Sequence, residues 1–182
     1  MKIQSSSLPD VKIISPEIFR DDRGFFYESY RLNLFSELGI PHSFVQENHS
    51  GSRKGILRGL HYQIHQPQGK LLGVIVGKIY DVVVDLRESS ETFGKWIGIV
   101  LSSEENQQLW VPPGYAHGFY VLSDWAEIIY KTTTYYSPEW DRTLLWNDPS
   151  VGIVWPLING EQPLLSKKDA NGTPWNEAEF FD

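Results

Sequence analysis

The sequence predicts an all-β fold: an antiparallel sandwich or jelly-roll barrel with one or two short helices. Three observations carry that expectation. Most of the chain reads as short stretches rich in Val, Ile, Phe, Tyr and Trp. Gly, Pro, Asn and Ser punctuate those stretches at close intervals. Aromatic residues reach 14%, with seven Trp and nine each of Tyr and Phe, a load that suits sheets and ring-lined pockets better than a helical bundle. Barrels of this kind commonly hold a ligand in the mouth or interior.

Taken in order, "VKIISPEIF" (11–19) opens the strands and "RGFFYESY" (23–30) follows the turn-like "RDD". "RLNLFSELGIP" (31–41) is the clearest helix. Leu32, Phe35 and Leu38 recur at helical spacing, Gly39 supplies a stop and Pro41 prevents continuation. Strands resume with "HSFVQENHS", "ILRGLHYQ", "KLLGVIVGKIYDVVVDLR", "KWIGIVLS", "QQLWVPP", "AHGFYVLS" and "AEIIYKTTTYYS". Gly77-Lys78 is expected to turn the long apolar run into two paired strands. Beyond residue 137 regularity fades into a Pro/Gly-rich tail, with "LLSKKDA" a candidate short helix. No repeat, linker or low-complexity segment divides the chain, so residues 1–182 read as one domain.

Composition narrows the function classes. Hydrophobic residues make up 41% of the 182, which argues for a packed core. A net charge of −7 speaks against general nucleic-acid binding, although a few clustered cations can still hold an anionic small molecule. The absence of cysteine excludes disulfides, thiol nucleophiles and thiolate metal sites. "MKIQSSSLPD" has no apolar core of a signal peptide, and no run approaches the ~18 apolar residues of a membrane span. The expectation is a cytoplasmic protein with no membrane partner.

Several strands carry polar groups in register. In "FVQENHS", alternation places Gln46, Asn48 and Ser50 on one face and Val45, Glu47 and His49 on the other. In "YKTTTYY", Tyr130, Thr132, Thr134 and Tyr136 share a face. Such rows either face water, as one side of an antiparallel sheet commonly does, or line a cavity. In "ILRGLHYQ", strict alternation would set Arg58 and His61 on opposite faces. Gly59 between them marks a possible bulge that re-aims Arg58 toward the side of His61. The two Arg-Gly pairs, Arg23-Gly24 and Arg58-Gly59, fit guanidinium groups aimed at phosphate, or equally surface arginines beside turn glycines. "WVPPGYAHGF" carries the PxGxxH pattern of a second cupin motif (Pro112, Gly114, His117), but no HxH pair accompanies it, which counts against a metal site. Lys70 stands at a strand start, and Asp169 lies roughly a hundred residues beyond His61. Spacing alone brings neither to that histidine.

The segments "DDRGFFYESY", "FVQENHS", "LRGLHYQ", "QGKL", "DVVVDLR", "FGKWIGIVLS", "QLWVPPGYAHGF", "YKTTTYYSP", "LLWNDPSVGIVWP" and "LSKKDA" together resemble the dTDP-4-dehydrorhamnose 3,5-epimerase family, in the family's order, over about residues 8–170. The resemblance implies a cupin-like jelly roll, a homodimer with shared sites, a dTDP-4-keto-6-deoxy sugar substrate, and catalysis without metal or other cofactor. It assigns His61 as general base, Asp169 as the carboxylate that orients it, Tyr130 as the acid on the opposite face and Lys70 as stabiliser of the oxyanion. Arg23, Glu28, Gln46, Glu47, Asn48, Arg58, His117, Asp141 and Lys168 match positions that hold the nucleotide-sugar, and Phe26 and Tyr136 match those that sandwich the thymine. Part of that set is implied to come from the partner through exchanged N-terminal strands.

Elementary chemistry agrees with these roles. Inverting C3 and C5 means removing hydrogen from carbon, which becomes feasible because a 4-keto group delocalises the charge onto oxygen. A histidine near its ordinary pKa of about 6.5 suits that transfer, and the enolate needs a donor such as Lys70. Other readings are an epimerase acting at C3 or C5 alone, a metal-dependent cupin, and a sugar-binding module without catalysis.

Overall fold

The fold was described from a computed structural model covering residues 1–40 and 43–182; Pro41, expected to end the helix, and His42 lie outside the described residues. Among the described residues, thirteen strands form three antiparallel sheets. The N-terminal strands are β1 (Lys2–Ser5), β2 (Lys12–Ser15), β3 (Phe19–Asp21) and β4 (Gly24–Phe26). After helix α1 (Leu32–Glu37) come β5 (Gln46–Arg53), β6 (Leu57–Gln63), β7 (Lys70–Val76), β8 (Lys78–Asp85) and β9 (Trp96–Ser102). The rest are β10 (Gln108–Val111), β11 (Tyr115–Val121), β12 (Trp125–Thr132) and β13 (Asp141–Thr143), followed by the one-turn helix α2 (Lys167–Ala170). One sheet runs β1-β2-β10-β7-β12-β5, the other β13-β6-β11-β8-β9, and β3-β4 is a separate hairpin.

The alternation of the strands sorts the side chains into three layers. Between the sheets lie Leu72, Val74, Leu109 and Ile128 from one side and Ile79, Val83, Phe119 and Val121 from the other. On the outer face of the five-stranded sheet, Leu57, Leu60, Tyr62 and Val82 are covered by Trp146, Val151 and Trp155 of the C-terminal segment. On the outer face of the larger sheet, Ile14, Leu71 and Trp110 are covered by Phe35 and Ile40 of the α1 region. Helix α1 ends as its sequence predicts. Gly39 takes φ +76°, the Gly39 amide donates to Ser36 O (3.0 Å) and the Ile40 amide to Phe35 O (2.8 Å), with Ile40 and Phe35 in one apolar cluster.

Three expectations are corrected. The run 70–85 does not fold back as a hairpin: β7 and β8 lie in different sheets. Both edges of β7 are taken by β10 and β12, and both edges of β8 by β9 and β11, so the chain steps across the core at Gly77. A side chain there would meet Trp125 O at 2.1 Å, and φ is +79°. The second correction concerns the row through Tyr136, which stops at Thr132, where β12 ends. Thr132 is buried, and Thr134 donates its hydroxyl to Gln66 O in the following turn. Third, the N-terminal residues form a strand, β1, where none was expected.

Candidate active site

A cavity of about 360 Å³ opens between the sheets. The five-stranded sheet contributes Arg58, His61 and His117, and the larger sheet contributes Gln46, Asn48, Lys70 and Tyr130. The polar row of β5 therefore faces the cavity rather than bulk water.

Arg58 and His61 reach it through a bulge. Register between β6 and β11 runs His61↔His117 and then Arg58↔Phe119, so three steps on β6 match two on β11. The outward apolar side chains of β6 record the same insertion, at Leu57, Leu60 and Tyr62. Gly59 sits in the bulge with φ +129° and its backbone against Gly118, where a Cβ would approach Gly118 Cα to 2.5 Å. Its peptide with Leu60 is cis. Arg58 is steadied by Ser52, which accepts from Nε at 2.9 Å.

His61 Nε2 lies 2.6 Å from Asp169 Oδ1. A carboxylate only accepts, so the ring proton sits on Nε2 and leaves Nδ1 with a free lone pair. Burial lowers the His61 pKa, and the Asp169 bond opposes that shift. The ring is thus neutral and able to accept a proton at neutral pH. Asp169, its side chain only 5% exposed, is placed by the cap of α2: its amide donates to Ser166 Oγ (3.1 Å) and the Ser166 hydroxyl donates to Asp169 Oδ2 (2.7 Å). Burial pushes the Asp169 pKa up, but the bonds from His61 and Ser166 outweigh it and hold the group below the usual carboxylate range.

Lys70 is 9% exposed and donates to His61 O at 3.1 Å. Burial draws its pKa down to about 8, so it is mostly an ammonium at pH 7. Tyr130 comes from the opposite sheet to His61, and burial raises its pKa, which keeps the phenol protonated. At one side of the cavity Lys168 pairs with Asp141, whose Oδ2 also accepts from Tyr136 OH (2.9 Å). His117 Nε2 is 2.9 Å from Asp81 Oδ2. Among the described residues, no group of three or more His, Cys, Asp or Glu could hold a metal ion.

Five of the expected residues do not line this cavity, Asp169 among them because it stands behind His61. Glu47 is on the outward face of β5, paired with Lys131. Arg23 pairs with Asp21 within the β3–β4 hairpin (2.5 Å), Phe26 is 69% exposed on the same hairpin, and Glu28 pairs with Arg31 (3.3 Å). Conversely, the sequence reading passed over Ser52, Gln63, Asp81 and Ser166. Gln63, on β6, is buried and clamps the 133–137 turn: its amide donates to Tyr135 O (3.3 Å) while its carbonyl accepts from the Ser137 amide (2.8 Å). The S-K-K-D spacing of a capping box was the signal available for Ser166.

Two antiparallel sheets around a polar cavity make this a cupin-like jelly roll. The sequence model of the dTDP-4-dehydrorhamnose 3,5-epimerase family matches residues 5–177. The chain is 52% identical over 182 residues to the dTDP-4-dehydrorhamnose 3,5-epimerase of Pseudomonas aeruginosa, covering 100% of this chain and 99% of that one. It is 55% identical over 179 residues to the protein of that name from Neisseria gonorrhoeae; the match covers 98% of this chain and 54% of that longer relative. Among solved structures it superimposes with TM-score 0.94 on the dTDP-6-deoxy-D-glucose-3,5-epimerase of Legionella pneumophila in complex with dTDP-4-keto-L-rhamnose, at 50% identity over 98% of this chain and 94% of that one. The chain belongs to the dTDP-4-dehydrorhamnose 3,5-epimerase family, a family of isomerases. No helix among the described residues is long and apolar enough to cross a membrane.

Proposed function

We propose that this protein inverts C3 and C5 of dTDP-4-dehydro-6-deoxy-D-glucose to give dTDP-4-dehydro-L-rhamnose. The observation that carries the reading is the placement of a neutral, carboxylate-anchored histidine and a protonated tyrosine on opposite sheets of one cavity, with a buried ammonium beside them. His61 takes the proton from carbon next to the ketone, and the bonding electrons move through the carbon framework onto the carbonyl oxygen. Lys70 stabilises the resulting enolate. Tyr130 returns a proton to the other face of the same carbon; the His61 imidazolium then releases its proton to solvent and the Tyr130 phenolate regains one from solvent, which resets both groups for the second carbon. Asp169 holds the imidazole in the required tautomer and stabilises the imidazolium formed at each step.

Arg58, Gln46, Asn48, His117, Asp141 and Lys168 hold the diphosphate and sugar, and Tyr136 stacks on the base. The ligand bound in the Legionella structure, dTDP-4-keto-L-rhamnose, matches the product class. Arg23, Phe26 and Glu28 complete the site of a second copy of this chain. That homodimer is supported by the hairpin itself, which exposes Phe19, Phe25 and Phe26 at 57–69% and lines none of its own cavity. Glu47, outward beside Lys131, is assigned to holding β5 in this arrangement.

The test is NMR of dTDP-4-keto-6-deoxyglucose incubated with the protein in heavy water. Loss of both the C3 and C5 proton signals supports the double epimerase, whereas loss of one replaces it with a mono-epimerase. No loss, with nucleotide-sugar still bound, leaves a binding module, and activity that tracks a metal found by elemental analysis makes the protein a metal-dependent cupin.

A further inference from the structure

Asp81 stands where a carboxylate is least expected. It lies in the apolar run "KIYDVVVD", is 0% exposed, and alternates with Ile79 and Val83 toward the space between the sheets. Ionised groups are placed in such a layer only when partners compensate the lost hydration. Two partners are present. Both Asp81 oxygens meet His117 Nε2, at 2.9 and 3.0 Å, and His117 is the cavity-lining residue directly opposite His61 in the β6–β11 register. Lys70, on the facing strand β7, is the second, acting through its charge and not through a hydrogen bond.

We propose that Asp81 is a positioning residue which, from beneath the cavity, fixes the orientation and tautomer of His117 and adds a counter-charge that helps to keep Lys70 an ammonium. Asp81 does not line the cavity, so its effect passes through those two side chains. The charged groups acting on Lys70 are Asp141 of β13, Asp81 of β8 and Lys168 of α2, and His61 of β6, His117 of β11 and Tyr130 of β12 line the same cavity. Of the two anions, Asp141 is already paired with Lys168. Asp141 nevertheless exerts the larger pull on Lys70, and Asp81 adds the second from beneath the cavity. Burial lowers the Lys70 pKa to about 8 against that pull, and burial raises the Asp81 pKa while His117 and Lys70 oppose the rise. A cation poised this close to neutrality depends on each remaining counter-charge.

The proposal rests on the epimerase reading for its kinetic test and not for its stability test. Asp81→Asn keeps the shape and the acceptor for His117 but removes the charge. The basic limb of the kcat profile, where Lys70 loses its proton, moves to lower pH by about one unit. At pH 8 the protonated fraction of Lys70 then drops from about a half to about a tenth, so kcat falls ~5-fold with little change in KM. A merely structural role lowers the unfolding temperature without moving the limb. An unshifted limb with wild-type kcat overturns the proposal. Absence of turnover in the unmutated protein overturns the epimerase reading instead. Thermal unfolding of Lys70→Met, Asp81→Asn and the double variant is independent of activity. If the two charges are coupled, the loss in the double variant is smaller than the sum of the two single losses; additive losses refute the coupling.

Discussion

Replacing Gly59 by alanine adds one methyl group at the point where β6 gains its extra residue. That methyl would lie 2.5 Å from Gly118 Cα and 3.0 Å from His117 O, both backbone atoms unable to swing aside. The residue would also hold φ +129°, which L side chains rarely adopt. Backbone strain of ~1–3 kcal/mol and overpacking of ~1–3 kcal/mol sum to about 4 kcal/mol. In a domain of this size that lowers the unfolding temperature by ~8–16 °C. Gly24 provides the control, since its φ is +127° but nothing lies within 4 Å of the added Cβ. Gly24→Ala therefore carries strain alone, ~1–3 kcal/mol. Any Gly59→Ala protein that does fold must shift β6 against β11, so Arg58 and His61 no longer share the cavity and kcat/KM falls. Calorimetry of both variants decides the matter. Equal losses at the two glycines, or an unchanged kcat/KM in Gly59→Ala, would show that the close approach does not set the site.

Tyr130→Phe leaves the His61 base and its Asp169 partner in place, so turnover to the doubly inverted product falls ~10²-fold or more. Exchange at a single carbon survives, as deuterium incorporation will report. The kcat profile should be bell-shaped. Its acid limb lies below the ordinary 6.5 because burial lowers the His61 pKa, and its basic limb lies near 8, where Lys70 loses its proton. Asp85 is wholly buried; burial alone would raise its pKa, but bonds from Arg87, Thr92 and Ser90 outweigh it and depress the pKa from 3.8 to about 2. Its stabilisation, about 2 kcal/mol, is thus present above pH 3.8 and lost as pH falls through 2. Asp85→Asn should be destabilised at pH 7, with the gap to the unmutated protein narrowing between pH 4 and pH 2 in denaturant titrations.

Much of this arrangement was legible in the residues. Alternation alone divides Gln46, Asn48 and Ser50 from Glu47 and His49, and the structure keeps that division because β5 pairs regularly with β12. The Gly59 bulge was readable because a glycine inside a strand has few other uses. Long-range placement was not. The Asp169 contact joins residues 108 positions apart, and nothing in their spacing links them. Only resemblance to a family supplied it. The turn at Gly77 looked like a hairpin because an apolar run gives no sign of which edges its neighbours will occupy. Asp81 was hidden by its surroundings, since one acid among valines reads as a surface position until burial is known. Resemblance also placed Glu47, Arg23, Phe26 and Glu28 at the site, whereas within one chain none of them lines the cavity.

The most direct test of the account is His61→Asn, followed by proton NMR with the keto-sugar nucleotide in heavy water and by calorimetric binding of the same ligand. The account predicts unchanged folding, affinity within a few-fold of the unmutated protein, and retention of both the C3 and C5 proton signals over times at which the unmutated protein has erased them. Wash-out of either signal at the native rate in His61→Asn would contradict it.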